Sequence, residues 1–250
     1  MDRAIIKKQA KAVIQARRRP ILIASGLFVL LSLLFTYLSL RLRLPPMEQF
    51  MEISERFTEL LRAGDFETAS KLSDSIQPSM PETLVSNLLS YLLAIVSFGL
   101  VALCLHAARG EDAAPGMLLD GFGSWAKVLL LELVTRLIVT LGFWALIFPG
   151  VLALYSYRMA RYILITHPDY GVIDCLRESR LRMNGHRMEL FEMDLSFAGW
   201  ALLSCVPLLG IFASIWALPY WHISCLLKYE AICASEPSPL RREADEDRYF

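Results

Sequence analysis

Apolar residues in this chain come in blocks about as long as a bilayer is thick, and that grouping limits the fold more than any other feature. A helix needs roughly 20 apolar residues, at 1.5 Å per residue, to cross about 30 Å of hydrocarbon. Residues 21–40 form one such block and residues 84–106 another, and neither holds a Lys, Arg, Asp or Glu. The block at 128–148 carries Glu132 and Arg136, and the shorter one at 151–166 carries Arg158 and Arg161. The stretch 195–232 is nearly twice the spanning length, with Pro207, Leu208, Leu209 and Gly210 near its middle. It reads as two short spans, 195–209 and 211–232, with a tight turn between them. The expected fold class is all-α, a polytopic transmembrane helical bundle of about six spans, or five if the last stretch is broken or re-entrant.

Composition agrees with that reading. Apolar residues make up 55% and charged residues 20%, with a mean hydropathy of +0.44; soluble domains average roughly 45–50% and 25%. Lys plus Arg total 25 and Asp plus Glu total 25, which argues against a nucleic-acid partner, whose surface should be basic. Arg17, Arg18 and Arg19 stand before the first block as in a secretory signal. The block exceeds a signal h-region and no small-residue cleavage site follows Leu40, so an uncleaved anchor is expected.

Basic residues in short loops set the orientation. The leader, residues 1–20, holds seven basic residues against Asp2 and is expected in the cytoplasm. The connection 41–83 has five basic and eight acidic residues and fits the outer side, although Arg41 and Arg43 pull the other way. The connection 166–194 carries Arg177, Arg180, Arg182 and Arg187 and returns inside. The transmembrane core covers 84–233, and a polar tail, 234–250, follows it. With six spans both termini are cytoplasmic, in a plasma-membrane protein.

Cys104, Cys175, Cys205, Cys225 and Cys233 show no CxxC spacing, and neither they nor the four histidines stand at metal-ligand spacing. No metal and no cofactor is expected. Met47, Phe50, Met51, Phe57, Leu60 and Leu61 recur at helical spacing, and residues 65–76 read as a second short helix after Gly64. This insertion, 45–81, is expected to lie along the outer membrane face, with a helical hairpin that meets a protein partner as the alternative. Residues 169–184 read as a cytoplasmic elbow helix starting at Asp169 and stopping at Asn184-Gly185. Val172, Ile173, Leu176 and Met183 mark its apolar face, and Asp174, Glu178 and Arg182 a polar one.

Charges in a span need partners, because each costs roughly 2.5–3.5 kcal/mol at mid-bilayer. Arg136 lies about 12 Å along the helix from Val128. With Phe148-Pro149-Gly150 turning the chain back, Arg158 should stand level with Arg136, and Arg161 level with Glu132. Asp194 begins the fifth span at similar depth. One buried cluster is expected, in which Glu132 and Asp194 neutralise Arg136, Arg158 and Arg161, with Tyr155, Tyr157 and Tyr162 as hydroxyl partners. Such a cluster serves either as an anion or proton path or as a network that fixes helix register.

Several blocks occur in an order that resembles a known family. They are Phe148-Pro149-Gly150-Val151 with Tyr155 to Met159, Glu178-Ser179-Arg180 through Gly185-His186, and Leu190-Phe191 through Asp194, Ser196, Phe197, Gly199 and Trp200. Trp216 and Pro219-Tyr220 follow, and Arg109-Gly110-Glu111, Gly121-Phe122 and Ala10-Lys11 also fit. The chain resembles the domain-of-unknown-function family nine-seven-five, uncharacterised bacterial integral membrane proteins; residues 45–81 stand outside the resemblance. The resemblance implies a polytopic helical membrane protein and brings no activity, cofactor or catalytic residue. In these blocks Pro149-Gly150 reads as a hairpin turn, Asp194 and Ser196 as caps of the fifth span, Gly199 as a close-approach site, and Trp200 and Trp216 as interfacial anchors.

No HExxH, GxSxG or phosphate-binding glycine loop is present, so no catalytic residue is assigned and an enzyme is not expected. The first functional reading is a structural or regulatory envelope protein acting through partners or lipids. The alternative is a transporter or channel for a small anion or hydrophobic solute, with the arginine cluster on its path. On either reading the chain should sediment with membranes and require detergent for release. Monodisperse material in plain buffer is the opposite outcome.

Overall fold

A computed structural model describes residues 3–43, 47–75, 79–206 and 208–235. Among them there is helix and no strand, and four helical stretches are long and apolar enough to cross a membrane: Arg18–Leu42, Met80–Ala108, Pro115–Ala145 and Leu209–Ser235. The chain divides into two compact units, residues 30–93 and the remainder.

The smaller unit holds the second part of α2 (Arg18–Arg43), α3 (Met47–Ala63), α4 (Phe66–Ser75) and the first part of α5 (Met80–Ala108). Gly64, at φ +77°, makes the turn between α3 and α4, a left-handed conformation open to glycine without strain. Asp65 then caps α4, its Oδ1 accepting from the Thr68 amide at 3.1 Å. Glu82 Oε2 likewise accepts from the Ser79 amide, at 2.8 Å, where α5 begins. These are the two helices read at 47–61 and 65–76, although Ile76 itself lies outside the described residues.

In the larger unit, residues 94–108 of α5 form the centre, with Leu100, Leu103, Cys104 and Leu105 fully buried. The basic leader is itself a helix, α1 (Arg3–Ala16). Ile6, Ala10 and Ile14, spaced four apart, are buried and pack it mainly on α12 (Leu209–Ser235). Its lysines take part in this packing: the Lys7 ammonium donates to the Ser196 carbonyl at 3.1 Å and sits 4.4 Å from the Phe197 ring centroid. Partial burial, with Lys11 and Arg3 nearby, holds that ammonium below the ordinary lysine range.

The 3₁₀ segment Pro115–Ser124 leads into α6 (Trp125–Ala145). The chain reverses at Leu146, which is extended, and returns as α7 (Ile147–Tyr157) and α8 (Ala160–Thr166). The turn therefore precedes Pro149-Gly150 rather than using it. Pro149 is the third residue of α7, where its missing N–H costs nothing, since the first four helical amides have no intrahelical acceptor. Gly150 provides close approach instead: a Cβ there would stand 2.5 Å from Phe143 Cγ, and one on Gly142 would stand 3.0 Å from Gly150 Cα.

Two expected spans differ from single helices. The block at 151–166 is interrupted at Arg158 and Met159, which leave regular α-helix yet keep right-handed dihedrals. The block at 195–209 holds only α11 (Ala198–Ser204), preceded by α10 (Arg187–Leu195). Seven residues rise about 10 Å, a third of a bilayer. The interruption at Ser196 and Phe197 again stays right-handed, so α10 and α11 lie along α12 as a broken rod. Phe197 meets Tyr220 at 4.9 Å between centroids and Trp200 meets Trp216 at 5.4 Å. The turn from α11 to α12 puts Leu208 at φ +65°, while Pro207 lies outside the described residues. So do residues 236–250 of the expected tail.

The elbow helix is α9 (Val172–Arg182), packed on α6, α7 and α8. It starts three residues after Asp169 because Asp174, not Asp169, takes the capping bond, accepting from the Gly171 amide at 3.1 Å. Gly185, at φ +90°, ends the following turn. Neither Asp194 nor Ser196 caps α11: Ser196 Oγ donates back to the Met193 carbonyl, and no side chain caps at Phe197. Gly199 has open space where its Cβ would be, so it serves no close approach.

The tight glycines lie elsewhere. A Cβ on Gly99 would collide with the Leu118 backbone, and one on Gly121 with the Ile95 carbonyl. Backbone cannot swing aside as a side chain can. Gly99→Ala should therefore lower stability by about 1–3 kcal/mol, whereas Gly199→Ala should stay within about 0.5 kcal/mol, both measured by thermal unfolding in detergent.

Candidate functional site

Glu132 and Arg136 are one turn apart on α6, and Arg136 Nε donates to Glu132 Oε1 at 2.8 Å. Arg161, at the start of α8, donates through Nη2 to the other carboxylate oxygen. Arg158, at the interruption between α7 and α8, points instead to Asp194 on α10. Its guanidinium grips both carboxylate oxygens, Nη2 donating to Oδ1 at 2.7 Å and Nη1 to Oδ2. Two further donors reach the same carboxylate: the Tyr155 hydroxyl to Oδ2 at 3.0 Å and Trp221 Nε1 to Oδ1 at 2.9 Å. The Trp221 ring also covers the guanidinium, 4.6 Å from Cζ to centroid.

The structure thus brings all five charged residues together but divides them. Glu132 holds Arg136 and Arg161, and Asp194 holds Arg158. Arg161 does meet Glu132 as height counting along the hairpin implies. Arg158 takes Asp194 rather than a place beside Arg136. Of the three tyrosines, Tyr155 joins the Asp194 network, while Tyr157 and Tyr162 line a cavity. Asp194 accepts four hydrogen bonds, about all that a carboxylate can take, so this half is a closed knot tying α7, α10 and α12.

The Glu132 half borders the cavity, about 340 Å³ in volume, between α5, α6, α7–α8 and α12. Small-molecule sites run from roughly 300 to 1,000 Å³. Arg136, Arg158 and Arg161 all line it, with Glu132 the carboxylate on its wall. Within the five residues three guanidiniums face two carboxylates, leaving one positive charge in excess. Val101, Val139 and Leu154 supply apolar wall. His222 also lines it; the residue is 7% exposed, and its buried Nδ1 has no hydrogen-bond partner among the described residues. Such a site can hold a small anion with an apolar body.

Trp221 and His222 were not foreseen as members. The available signal was their place beside Pro219-Tyr220 on the broad apolar face of α12. A second network was also misread: Glu178 and Arg182, assigned to a polar face of the elbow helix, are 1% and 5% exposed and paired at 2.6 Å. Arg182 also donates to the Cys233 thiol. Nearby, Glu189 pairs with Lys228 and, at 2.9 Å, with His186. Ile173, placed with the apolar face, is exposed. Cys175 on the elbow helix is held by burial at a pKa of about 11, far from a reactive thiolate. Among the described residues no three His, Cys, Asp or Glu side chains gather as metal ligands.

If Asp194 is the knot, its loss costs more than that of any single donor. Asp194→Asn should destabilise by about 3 kcal/mol, because it leaves the Arg158 charge without its counterion. Tyr155→Phe should cost about 1 kcal/mol, one hydrogen bond. Equal shifts in the thermal unfolding of the two variants would contradict this ranking.

No curated protein and no solved structure matches the chain. The family described as a protein of unknown function (DUF975) matches residues 85–236, more than half of the sequence. The match includes Glu132, Arg136, Arg158, Arg161 and Asp194, together with Pro149, Gly150, Gly185, Ser196, Phe197, Gly199, Trp200, Pro219 and Tyr220. Ala10-Lys11, the first apolar block and residues 45–81 stand outside it. Across the region that builds the charged cavity, the chain belongs to the DUF975 family.

Proposed function

We propose that this is a six-crossing membrane protein, with both termini on the cytoplasmic side of a plasma membrane, that binds a small organic anion and passes it across the bilayer. The crossings are α2, α5, α6, α7–α8, α10–α11 and α12, oriented by the basic leader and the basic elbow connection. The observation that carries the functional reading is the cavity with three arginines against one carboxylate on its wall. Excess charge in a poorly polarisable interior favours a counter-ion. The two interrupted rods add support, since discontinuous helices build the midplane sites of many transporters. The reading assigns no bond-breaking step and no cofactor.

A register-fixing role belongs to the Asp194 half, whose hydrogen bonds are saturated. The hairpin of α3 and α4 leaves Phe50, Met51 and Phe66 exposed, which favours a second role for that segment, contact with a lipid surface or a protein partner.

Benzenesulfonate, which stays ionised and crosses lipid poorly, is a suitable probe. Vesicles reconstituted with the protein should take it up faster than protein-free vesicles. Arg161→Gln should reduce both uptake and equilibrium binding in detergent by roughly tenfold, the equivalent of 1.4 kcal/mol. Uptake equal to protein-free vesicles, together with no binding in detergent, would leave the register-fixing role alone.

A further inference from the structure

We propose that the junction of α1 and α2 is a binding site for an anionic phospholipid whose headgroup carries two negative charges. This region is separate from the charged cavity, and the site stands or falls independently of anion passage. Three observations carry it.

The first is a set of guanidiniums without carboxylate partners. Arg17, Arg18 and Arg19 line a cavity of about 760 Å³ between the end of α1, the start of α2 and residues 112–114. Arg17 is fixed in place, its Nη2 donating to the carbonyl of Gly110 in the turn after α5. Arg18 and Arg19 are exposed and take no hydrogen bond or ion pair among the described residues. The nearby acids are turned elsewhere: Glu111 pairs with His106 at 2.5 Å, and Glu230 with Arg109 at 2.8 Å. The first turn of α2 holds no acid. Asp112 is the one carboxylate on the wall, and among the described residues it forms no ion pair with the three arginines. Three positive charges against one negative leave two in excess. A guanidinium meets phosphate oxygens through two parallel N–H donors, so this wall suits phosphate.

The second is height. The candidate span that starts at Arg18 is 25 residues long. It rises about 38 Å, more than the roughly 30 Å of hydrocarbon in a bilayer. Its first turn therefore stands among the headgroups, where lipid phosphates supply the fixed negative charge.

The third is what lies beneath the charge. Ile23 and Leu27 follow Arg19 at intervals of four residues, which places the three on one face of α2. All three are exposed. Charge at the rim, with bare apolar surface one and two turns below it, matches the order of headgroup and acyl chain. A diffuse basic surface draws every anionic lipid in proportion to its charge. A fixed guanidinium, an open cavity and an adjoining apolar face favour one headgroup over another.

The test uses the full chain in a neutral detergent and measures lipid binding by native mass spectrometry. Cardiolipin, with two phosphodiesters, is compared with phosphatidylglycerol, with one, and with phosphatidylcholine, which has no net charge. Cardiolipin should bind roughly tenfold tighter than phosphatidylglycerol, and phosphatidylcholine weakest of the three. This ranking by the wild type tests the charge argument without any variant. Arg18→Gln combined with Arg19→Gln should lower cardiolipin affinity roughly tenfold. Lys8→Gln combined with Arg180→Gln removes as much exposed charge elsewhere and should stay within about twofold. Replacing Arg18 and Arg19 with lysine keeps the charge but loses the fork, and should cost part of the affinity. Equal binding of cardiolipin and phosphatidylglycerol, or equal losses in the two glutamine pairs, would show diffuse attraction and overturn the site. Displacement of cardiolipin by equimolar inorganic phosphate would show that the wall takes a free anion, and would overturn the lipid assignment.

Discussion

An ionised side chain taken out of water must bring its partner with it, and the larger unit is arranged around that requirement. Two carboxylates on different helices face three guanidiniums. Each pairing fixes a height at which two elements meet: Glu132 sets α8 against α6, and Asp194 sets α10 and α12 against the end of α7. Apolar packing alone is tolerant of sliding, because one leucine against another costs little to shift by a turn. A forked carboxylate–guanidinium contact is not, since displacement leaves a charge unpaired at about 3–5 kcal/mol. The charges therefore act as pins in an otherwise slippery interior.

Those pins work only if the backbones come close. Gly142 and Gly150 let α6 and α7 approach, Gly99 and Gly121 let the 3₁₀ segment lie on α5, and Gly210 lets α12 begin against Ser204. The basic leader helix completes the arrangement from outside the apolar blocks. Its Ile6, Ala10 and Ile14 are buried, and Lys7 and Lys11 lie over the rings of Phe197 and Tyr220. Positive charge in this helix thus packs against aromatic faces.

Much of this was legible in the sequence, for reasons that also mark where legibility ends. The long uncharged blocks become α2 and α5 because length and composition alone decide that a helix can span. The partnership of Arg161 with Glu132 was legible because a hairpin with short turns fixes heights by arithmetic. The interruptions at Arg158–Met159 and Ser196–Phe197 were not, since both keep right-handed dihedrals and no glycine or proline marks them. Pro149-Gly150 misled in the opposite direction: it carries the strongest turn signal, yet a proline at the third helical position leaves the helix intact. Glu178 and Arg182 were read as a polar surface because a four-residue ion pair looks the same whether exposed or buried. Only the packing of the elbow helix, with Cys233 of α12 against Arg182, decides which it is.

The unequal saturation of the two carboxylates bears most directly on function. Asp194 receives four donors and has no acceptor capacity left, and it holds Arg158 and Trp221 on the cavity wall. Glu132 receives one donor each from Arg136 and Arg161 and stands on the cavity wall. An anion that meets Arg136 or Arg161 competes with Glu132, not with Asp194, for guanidinium donors. Exchange of a ligand at this wall therefore need not loosen the packing that holds the rods in register. Had one carboxylate served both purposes, each binding event would have cost the fold its strongest pin. Division of the five charges into a saturated Asp194–Arg158 pair and a trio on the cavity wall separates stability from ligand exchange within a single layer of side chains.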